Sequence, residues 1–384
     1  MAKSEGIRKA QPGSVVVGTG FLPLDLVYRD DNPSLLKAFA GGTCGNVLSV
    51  LGFLGWTSYP IARHDRSNIS DLIRQDLSLW NVKSDFLSQD PVALPPVVIQ
   101  RVFIKPRGMK THSFSWNCPG CGAHLPSFKP VLAKSVAELA PNLPDAAIFF
   151  FDRVSRASLD LAKSMAAKGT VLVFEPSMIG DPKLFAEAFS ISHIVKYSQE
   201  RIADIREVTD ARSPHLEIET LGSAGLRYRR AGSKWKELEP FQPRKVVDTS
   251  GAGDWCTAGV IHALCQDGSA SFLKAKLPDL QVALRLGQAM GAWACGFEGA
   301  RSGMYGVTFD AWRRQIERIL DRGAVIDDLE TASACPSVTV EICCPQPERG
   351  EGAGVPQQPL SVSTQICATL LQGKLNGQTL PRRA

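Results

Sequence analysis

The chain has 384 residues, with 43 Lys+Arg against 38 Asp+Glu and a formal net charge of +5. At 44% hydrophobic and 21% charged residues it has a globular composition, which excludes wholesale disorder and a collagen-like chain. Charges of both signs are interspersed, so no clustered basic excess marks a nucleic-acid surface, and neither nucleic acid nor membrane is an expected partner. Apolar runs such as Ala146 to Phe151 fall far short of the roughly 18 residues a membrane span needs. Ten cysteines are too sparse for a disulfide scaffold. The apolar stretch Val15–Val17 after Arg8 and Lys9 is too short for a signal peptide, so the expectation is reduced thiols in a cytoplasm.

In chain order, Val15–Val17 running into Gly18 and Gly20 reads as a strand and turn, and Cys44 to Leu54 as a helix stopped by Gly55. Asn68 to Leu79 is amphipathic, and Pro96 to Ile104 is a strand bounded by proline. Ala146–Phe151, Leu159–Ala167 and Thr170–Phe174 alternate strand, helix, strand. Ile191–Val195, Leu216–Leu221 and Val246–Val247 continue the strand series. Strands separated by helices of this length predict βαβ units, hence an α/β fold with a mostly parallel sheet covered on both faces. Lys105 to Lys129, rich in Gly, Pro, Ser and His, breaks the alternation and reads as a flap or lid. Beyond about Asp328 periodicity is lost among prolines, glutamines and glycines, so 328–384 reads as a low-complexity, loosely ordered tail.

The stretch richest in chemistry is Val246 to Leu264. A strand enters the small-residue turn Ser250-Gly251-Ala252-Gly253, and a helix begins near Asp254 and runs to about Cys265. Backbone N–H groups converge there without side chains in the way, and the helix N-terminus adds donors and partial positive charge. This is an anion-binding turn suited to a phosphoryl group. Asp254 is either the helix N-cap or a general base taking a proton from an attacking hydroxyl. Upstream, Gly41 and Gly42 allow close backbone approach to a small polar ligand, and Asn46 offers a donor and an acceptor at a helix start. Neither a P-loop nor a Gly-x-Gly-x-x-Gly after a strand is present.

Asp248-Thr249-Ser250-Gly251-Ala252-Gly253-Asp254 resembles the second signature of the ribokinase-like (PfkB-type) carbohydrate kinases, and Gly41 to Gly55 resembles their first. The resemblance spans roughly Ser14 to Arg322. It implies a three-layer α/β/α sandwich over 14–327, with a small β flap including about 96–130. It further implies an ATP- and Mg2+-dependent phosphotransferase acting on a hydroxyl of a sugar, a related small polyol or a nucleoside. Asp254 would be the base, with Gly251, Ala252 and Gly253 as the anion hole. Asp25, Gly41, Gly42, Asn46 and Asp152 would hold the acceptor. Ser198, Thr220, Gly222 and Gly225 would line the nucleotide, and Cys295 to Met304 would form the late loop near the adenine and monovalent-ion sites. Asp248 and Ser250 would support K+.

The chain departs from the family in two ways. Relatives carry Asn-x-x-Glu to organise magnesium, where this chain has Ser198 and Arg201, with Glu200 one position early as the remaining carboxylate. Glu175-Pro176-Ser177 likewise replaces Asp-Pro-Asn. These changes leave open an alternative, a weak or inactive kinase-fold regulator that binds a ligand and acts through the flap. The second departure is Cys118-Pro-Gly-Cys121, half of a zinc-ribbon site, with His112 and His124 nearby. One knuckle is not four ligands, so free thiols are the plainer reading. Because flaps of relatives often mediate dimer contacts, a zinc shared across a homodimer is the other. His262 reads as a packed histidine, and Arg227, Arg229, Arg230, Lys234 and Lys236 as a solvated basic face.

Overall fold

The computed structural model describes residues 7–323, apart from 30–31, 105–109, 119–121, 203–204, 206–208, 210–213, 244–245 and 267. The expected tail, 328–384, lies outside the described residues. The first half of the chain forms strands β1 (Val15–Thr19), β2 (Leu24–Arg29), β3 (Asn32–Ala40), β4 (Thr57–His64), β5 (Leu87–Gln89), β6 (Val97–Ile104) and β7 (Lys110–Ser115). It also forms helices α1 (Gly42–Phe53), α2 (Asn68–Ser78) and α3 (Val136–Asn142). The second half continues with β8 (Ile148–Phe151), α4 (Arg156–Ala167), β9 (Val171–Phe174), α5 (Pro182–Ile191), β10 (Ile194–Ser198) and β11 (Leu216–Thr220). The edge strands β12 (Leu226–Arg230) and β13 (Lys236–Leu238) follow, then α6 (Ala252–Leu264), α7 (Ser269–Lys274), α8 (Leu277–Ala294), α9 (Ser302–Tyr305) and α10 (Phe309–Arg322).

Nine strands make one sheet in the order β13-β12-β11-β10-β9-β8-β1-β4-β5. Every pairing is parallel except those of β12, which runs antiparallel to β11 and β13. Side chains alternate across a strand, and here both alternating sets are apolar. Val16, Ile148, Phe150, Val171 and Val173 face a core shared with α1, α6, α8 and α10. Val17, Phe149, Phe151, Leu172 and Phe174 face a second core with α4 and α5. Two apolar faces demand two helical layers, and the α/β/α sandwich results.

Helices α6 and α8 pack backbone to backbone. A Cβ on Gly259 would come 2.8 Å from Gly287 Cα, and one on Gly287 would come 2.6 Å from the Cys256 carbonyl oxygen. That close crossing holds the N-terminal turn of α6 rigidly over the sheet.

The flap is larger than expected from its composition. It is a four-stranded sheet, β3-β2-β6-β7, so residues 24–40 belong to it together with 97–115. Leu24, Leu26, Ala40, Val97 and Ile99 pack it on Ile69, Ile73 and Leu77 of α2. The β2–β3 hairpin carries a single proline, Pro33, and no glycine, so it lacks the Gly- and Pro-rich composition that marked the later segment. Two other boundaries moved. Helix α5 extends through Ile191, so that strand begins at Ile194. Val246–Val247 is no strand, because the N–H groups of Val247 and Asp248 both turn to the Cys295 carbonyl at the end of α8.

Candidate functional site

In an open parallel sheet, ligands bind outside the carboxyl ends of the strands. The register makes the point residue by residue. Thr19 pairs with Phe151, and Phe151 with Phe174, so Gly20, Asp152 and Glu175 emerge side by side at that edge. Ser198 pairs with Thr220 at the ends of β10 and β11. Glu200 and Gly222 lie just beyond, with Glu200 Oε1 3.7 Å from where a Gly222 Cβ would stand. Gly222 to Ala224 form a short 3-10 turn, and Gly225 ends it at φ +96°. The Thr220–Gly225 segment is therefore the tight turn of a β11–β12 hairpin at the carboxyl edge.

The anion turn meets the diglycine segment directly. Asn46 Nδ2 donates to Asp254 Oδ2 at 2.6 Å across 208 residues of sequence. Gly251 stands at φ +74°, left-handed, and precedes the first residue of α6. The first-turn N–H groups of a helix lack intrahelical acceptors, and Asp254 lies in that same turn, where the Ala252 N–H turns back to the Thr249 carbonyl at 3.3 Å. Burial and then the neighbouring Glu175 raise the Asp254 carboxyl well above the usual carboxylate range, while Asn46, Lys196 and Arg201 act the other way. The N-cap is Gly251, so Asp254 is not the cap but the third residue of α6, and its side chain reaches across to Asn46.

Asp25 and Asp152, the two carboxylates expected on the acceptor side, are both buried near the diglycine segment and the end of β1. Gly41 has no side chain because the Asp25 carboxylate occupies the space a Cβ would take. Removal from water pushes the Asp25 carboxyl up to about 7, against the pull of Arg301 and the Gly42 N–H. Asp152 accepts from the Phe21 N–H at 2.8 Å. Burial raises its carboxyl to about 6, opposed mainly by Arg153.

Two buried cations were not foreseen. Arg301, 2% exposed, donates from Nε to Asn46 Oδ1 at 2.9 Å, from Nη2 to Asp76 Oδ2 at 2.7 Å, and to the Ala40 carbonyl. Tyr305 closes on Asp76 Oδ1 at 2.5 Å. Burial opposes the charge of Arg301, but Tyr305 and Asp76 outweigh it and raise its pKa further. Arg301 thus locks the Asn46 amide so that its NH2 faces Asp254. An arginine within the glycine-rich Cys295 to Met304 stretch was the available signal. The second cation is Lys196, one strand position before Tyr197 and Ser198. It pairs with Glu175 at 2.5 Å, and Thr257 donates to the other Glu175 oxygen at 2.5 Å. Lys196 Nζ is 3.5 Å from where a Gly253 Cβ would be, so it sits directly against the anion turn. Burial works against its charged form, and Glu175 more than offsets it.

Asp248 and Ser250 have a different environment from a cation site. Asp248 Oδ1 accepts from the Ser250 N–H at 2.9 Å, the Ser250 hydroxyl at 2.8 Å and His112 Nδ1 at 2.8 Å. Its Oδ2 accepts from Gln100 Nε2 at 2.7 Å and the Gly299 N–H at 2.8 Å. Burial alone would raise this carboxyl, yet His112, Ser250 and Gly299 hold it at about 2. K+ does not fit a carboxylate whose lone-pair sites are all taken by protein donors.

The zinc candidates are placed only in part. Cys118 is 2% exposed and packs with Leu125 and Val97 in the flap base, and Cys121 lies outside the described residues. His112 is turned to Asp248, and His124 Nδ1 lies 3.1 Å from Asn117 Oδ1. Among the described residues no group of three or more His, Cys, Asp or Glu side chains could hold a metal. Magnesium is a separate matter, since it is usually bound through one or two carboxylates and substrate phosphates. Glu200, exposed beside the Gly222–Gly225 turn, fits that mode.

Outside the site, His262 is a packed residue as expected, its Nδ1 accepting from Trp56 Nε1 at 3.1 Å. The basic hairpin is more tied down than a solvated face. Arg227 and Arg229 pair with Glu219 and Glu217 and lie over the Trp235 ring. No helix among the described residues is long and apolar enough to cross a membrane.

Residues 142–305 match the pfkB family of carbohydrate kinases. That segment runs from the end of α3 through α9 and contains the whole Ser250–Asp254 turn. A fructokinase of Klebsiella pneumoniae is 32% identical over 127 residues, 30% of this chain and 39% of the fructokinase. The aligned part thus spans well under half of that relative's length. An aminoimidazole riboside kinase of Salmonella enterica, solved with aminoimidazole riboside and an ATP analog, is 19% identical and has a TM-score of 0.58. The alignment covers 80% of this chain and 100% of that one. The ribokinase of Arabidopsis thaliana, solved with ribose and ATP, is 16% identical with a TM-score of 0.57, covering 80% and 98%. The described part of the chain has the ribokinase fold, as the sequence resemblance implied.

Proposed function

We propose that this chain is an ATP-dependent kinase that moves the γ-phosphoryl group to a hydroxyl of a sugar, a related small polyol or a nucleoside. The observation that carries the reading is the 2.6 Å contact between Asn46 and Asp254. It joins the acceptor segment to the anion turn, so one point in the fold faces both reactants.

The acceptor hydroxyls lie against Asp25, Gly41, Gly42, Asn46 and Asp152. The attacking O–H gives its proton to Asp254 as its oxygen forms the new bond to γ-phosphorus, and the bond to the bridging oxygen breaks to release ADP. Raised above its ordinary range, the Asp254 carboxyl is a better proton acceptor than a surface aspartate. The N–H groups of the cap Gly251 and of Gly253, joined by that of Ala252 once it leaves the Thr249 carbonyl, and with Lys196 beside them, hold the charge on the transferring group. Ser198, Thr220, Gly222 and Gly225 line the nucleotide. Magnesium, held by the phosphates and Glu200, would neutralise phosphate charge. Phe114 and Trp116, exposed on the flap, support a homodimer through that face.

The test is ATP consumption with magnesium across a panel of sugars and nucleosides, run for the full chain and for Asp254→Asn. Acceptor-dependent ADP release that the substitution abolishes supports the reading. Saturable ligand binding with no turnover for any acceptor overturns it and favours the regulator that the Ser198 and Arg201 departures suggest.

A further inference from the structure

Three separate segments converge on one carboxylate two residues before the anion turn. The flap supplies Gln100 from β6 and His112 from β7, the late loop supplies the Gly299 N–H, and Ser250 supplies its own N–H and hydroxyl. Gln100 Nε2 also reaches Ser250 Oγ at 3.0 Å, so the clamp grips both residues that the family resemblance assigns to a cation. An ionised carboxylate offers about four lone-pair sites. These donors occupy them all, and Asp248 is only 4% exposed. A cation could enter only by displacing the flap.

We propose that the His112 and Gln100 side chains of the flap stand where a monovalent cation would bind Asp248 and Ser250, so the anion turn of this chain is assembled without potassium. The role of His112 is positional. It fixes Asp248, whose backbone leads through Ser250 into Gly251, and so ties flap placement to the turn that holds the phosphoryl group. The proposal rests on the reading of that turn as the phosphoryl site, and its primary readout is independent of turnover.

The melting temperature of the full chain is measured in potassium chloride and in N-methylglucamine chloride at equal ionic strength. The same pair is measured for His112→Ala. Wild type should melt alike in both salts, and His112→Ala should melt higher in potassium, because its vacated carboxylate site can take the ion. With a competent acceptor, wild-type turnover should agree between the two salts within about twofold. His112→Ala should gain about tenfold or more from potassium, the scale of one charge-assisted hydrogen bond. Potassium-specific stabilisation of the wild type overturns the proposal, and so does a His112→Ala protein indifferent to potassium. Should His112→Ala not fold, His112→Ser is read in the same way. Absence of turnover with every acceptor would count against the kinase reading alone and leave the melting comparison decisive.

Discussion

Replacing Asp25 by Asn removes a carboxyl that the fold holds at about 7, against 3.8 in an exposed chain. A folded-state pKa raised above the unfolded one favours the protonated native form. Its stabilising contribution is complete below pH 3.8 and disappears as pH rises through 7. Ionised above both values, this group costs the native state about 4 kcal/mol. Most of that cost, about 2.5 kcal/mol, accrues between pH 5 and pH 8. The assay is thermal or urea unfolding of wild type and Asp25→Asn across that range. Asp25→Asn should gain on wild type as pH rises and melt roughly 5 °C or more above it at pH 8. In the same variant, the acceptor loses a charged hydrogen-bond partner. Its kcat/KM should fall about 10- to 150-fold while ATP binding is retained. A variant that melts at or below wild type at pH 8, or that keeps its acceptor kcat/KM, refutes the reasoning.

Asp254→Asn should lower kcat by about 10²–10⁴-fold, the usual contribution of a general base. Titration calorimetry should still show nucleotide binding, and wild-type-like turnover would remove Asp254 from the base role. Arg301→Met leaves Asp76 buried without its cation and should cost about 3–5 kcal/mol in urea unfolding. A loss below about 1 kcal/mol would mean the Asn46–Arg301–Asp76 chain is not structural. Lys196→Met should slow transfer by about 10²–10³-fold, as removal of one donor to a developing anion does. Lys196→Arg, which keeps the charge, should retain more of the rate, and equal loss in both variants would argue against an electrostatic role.

Much of this protein was legible before folding, for reasons that are local. Strand and helix periodicity needs only neighbouring residues, and the runs Ala146–Phe151 and Thr170–Phe174 are apolar on both alternating faces, which specifies a sheet buried between two helical layers. The Ser250–Asp254 turn and Gly41–Gly42 declared themselves because small residues at a helix start have few other uses. What stayed hidden was pairing over distance. The β2–β3 hairpin joins the flap only because β6 lies beside β2. Lys196 becomes an anion-site cation only because β10 places it level with Glu175. Arg301 and His112 are unremarkable as isolated letters. Their charges take on meaning only when the fold brings Asn46, Asp76 and Asp248 within hydrogen-bond reach. The choice between a cation and a histidine at Asp248 was made by tertiary structure alone, because a carboxylate in sequence does not reveal which donors, from segments up to 148 residues away, will fill its lone pairs.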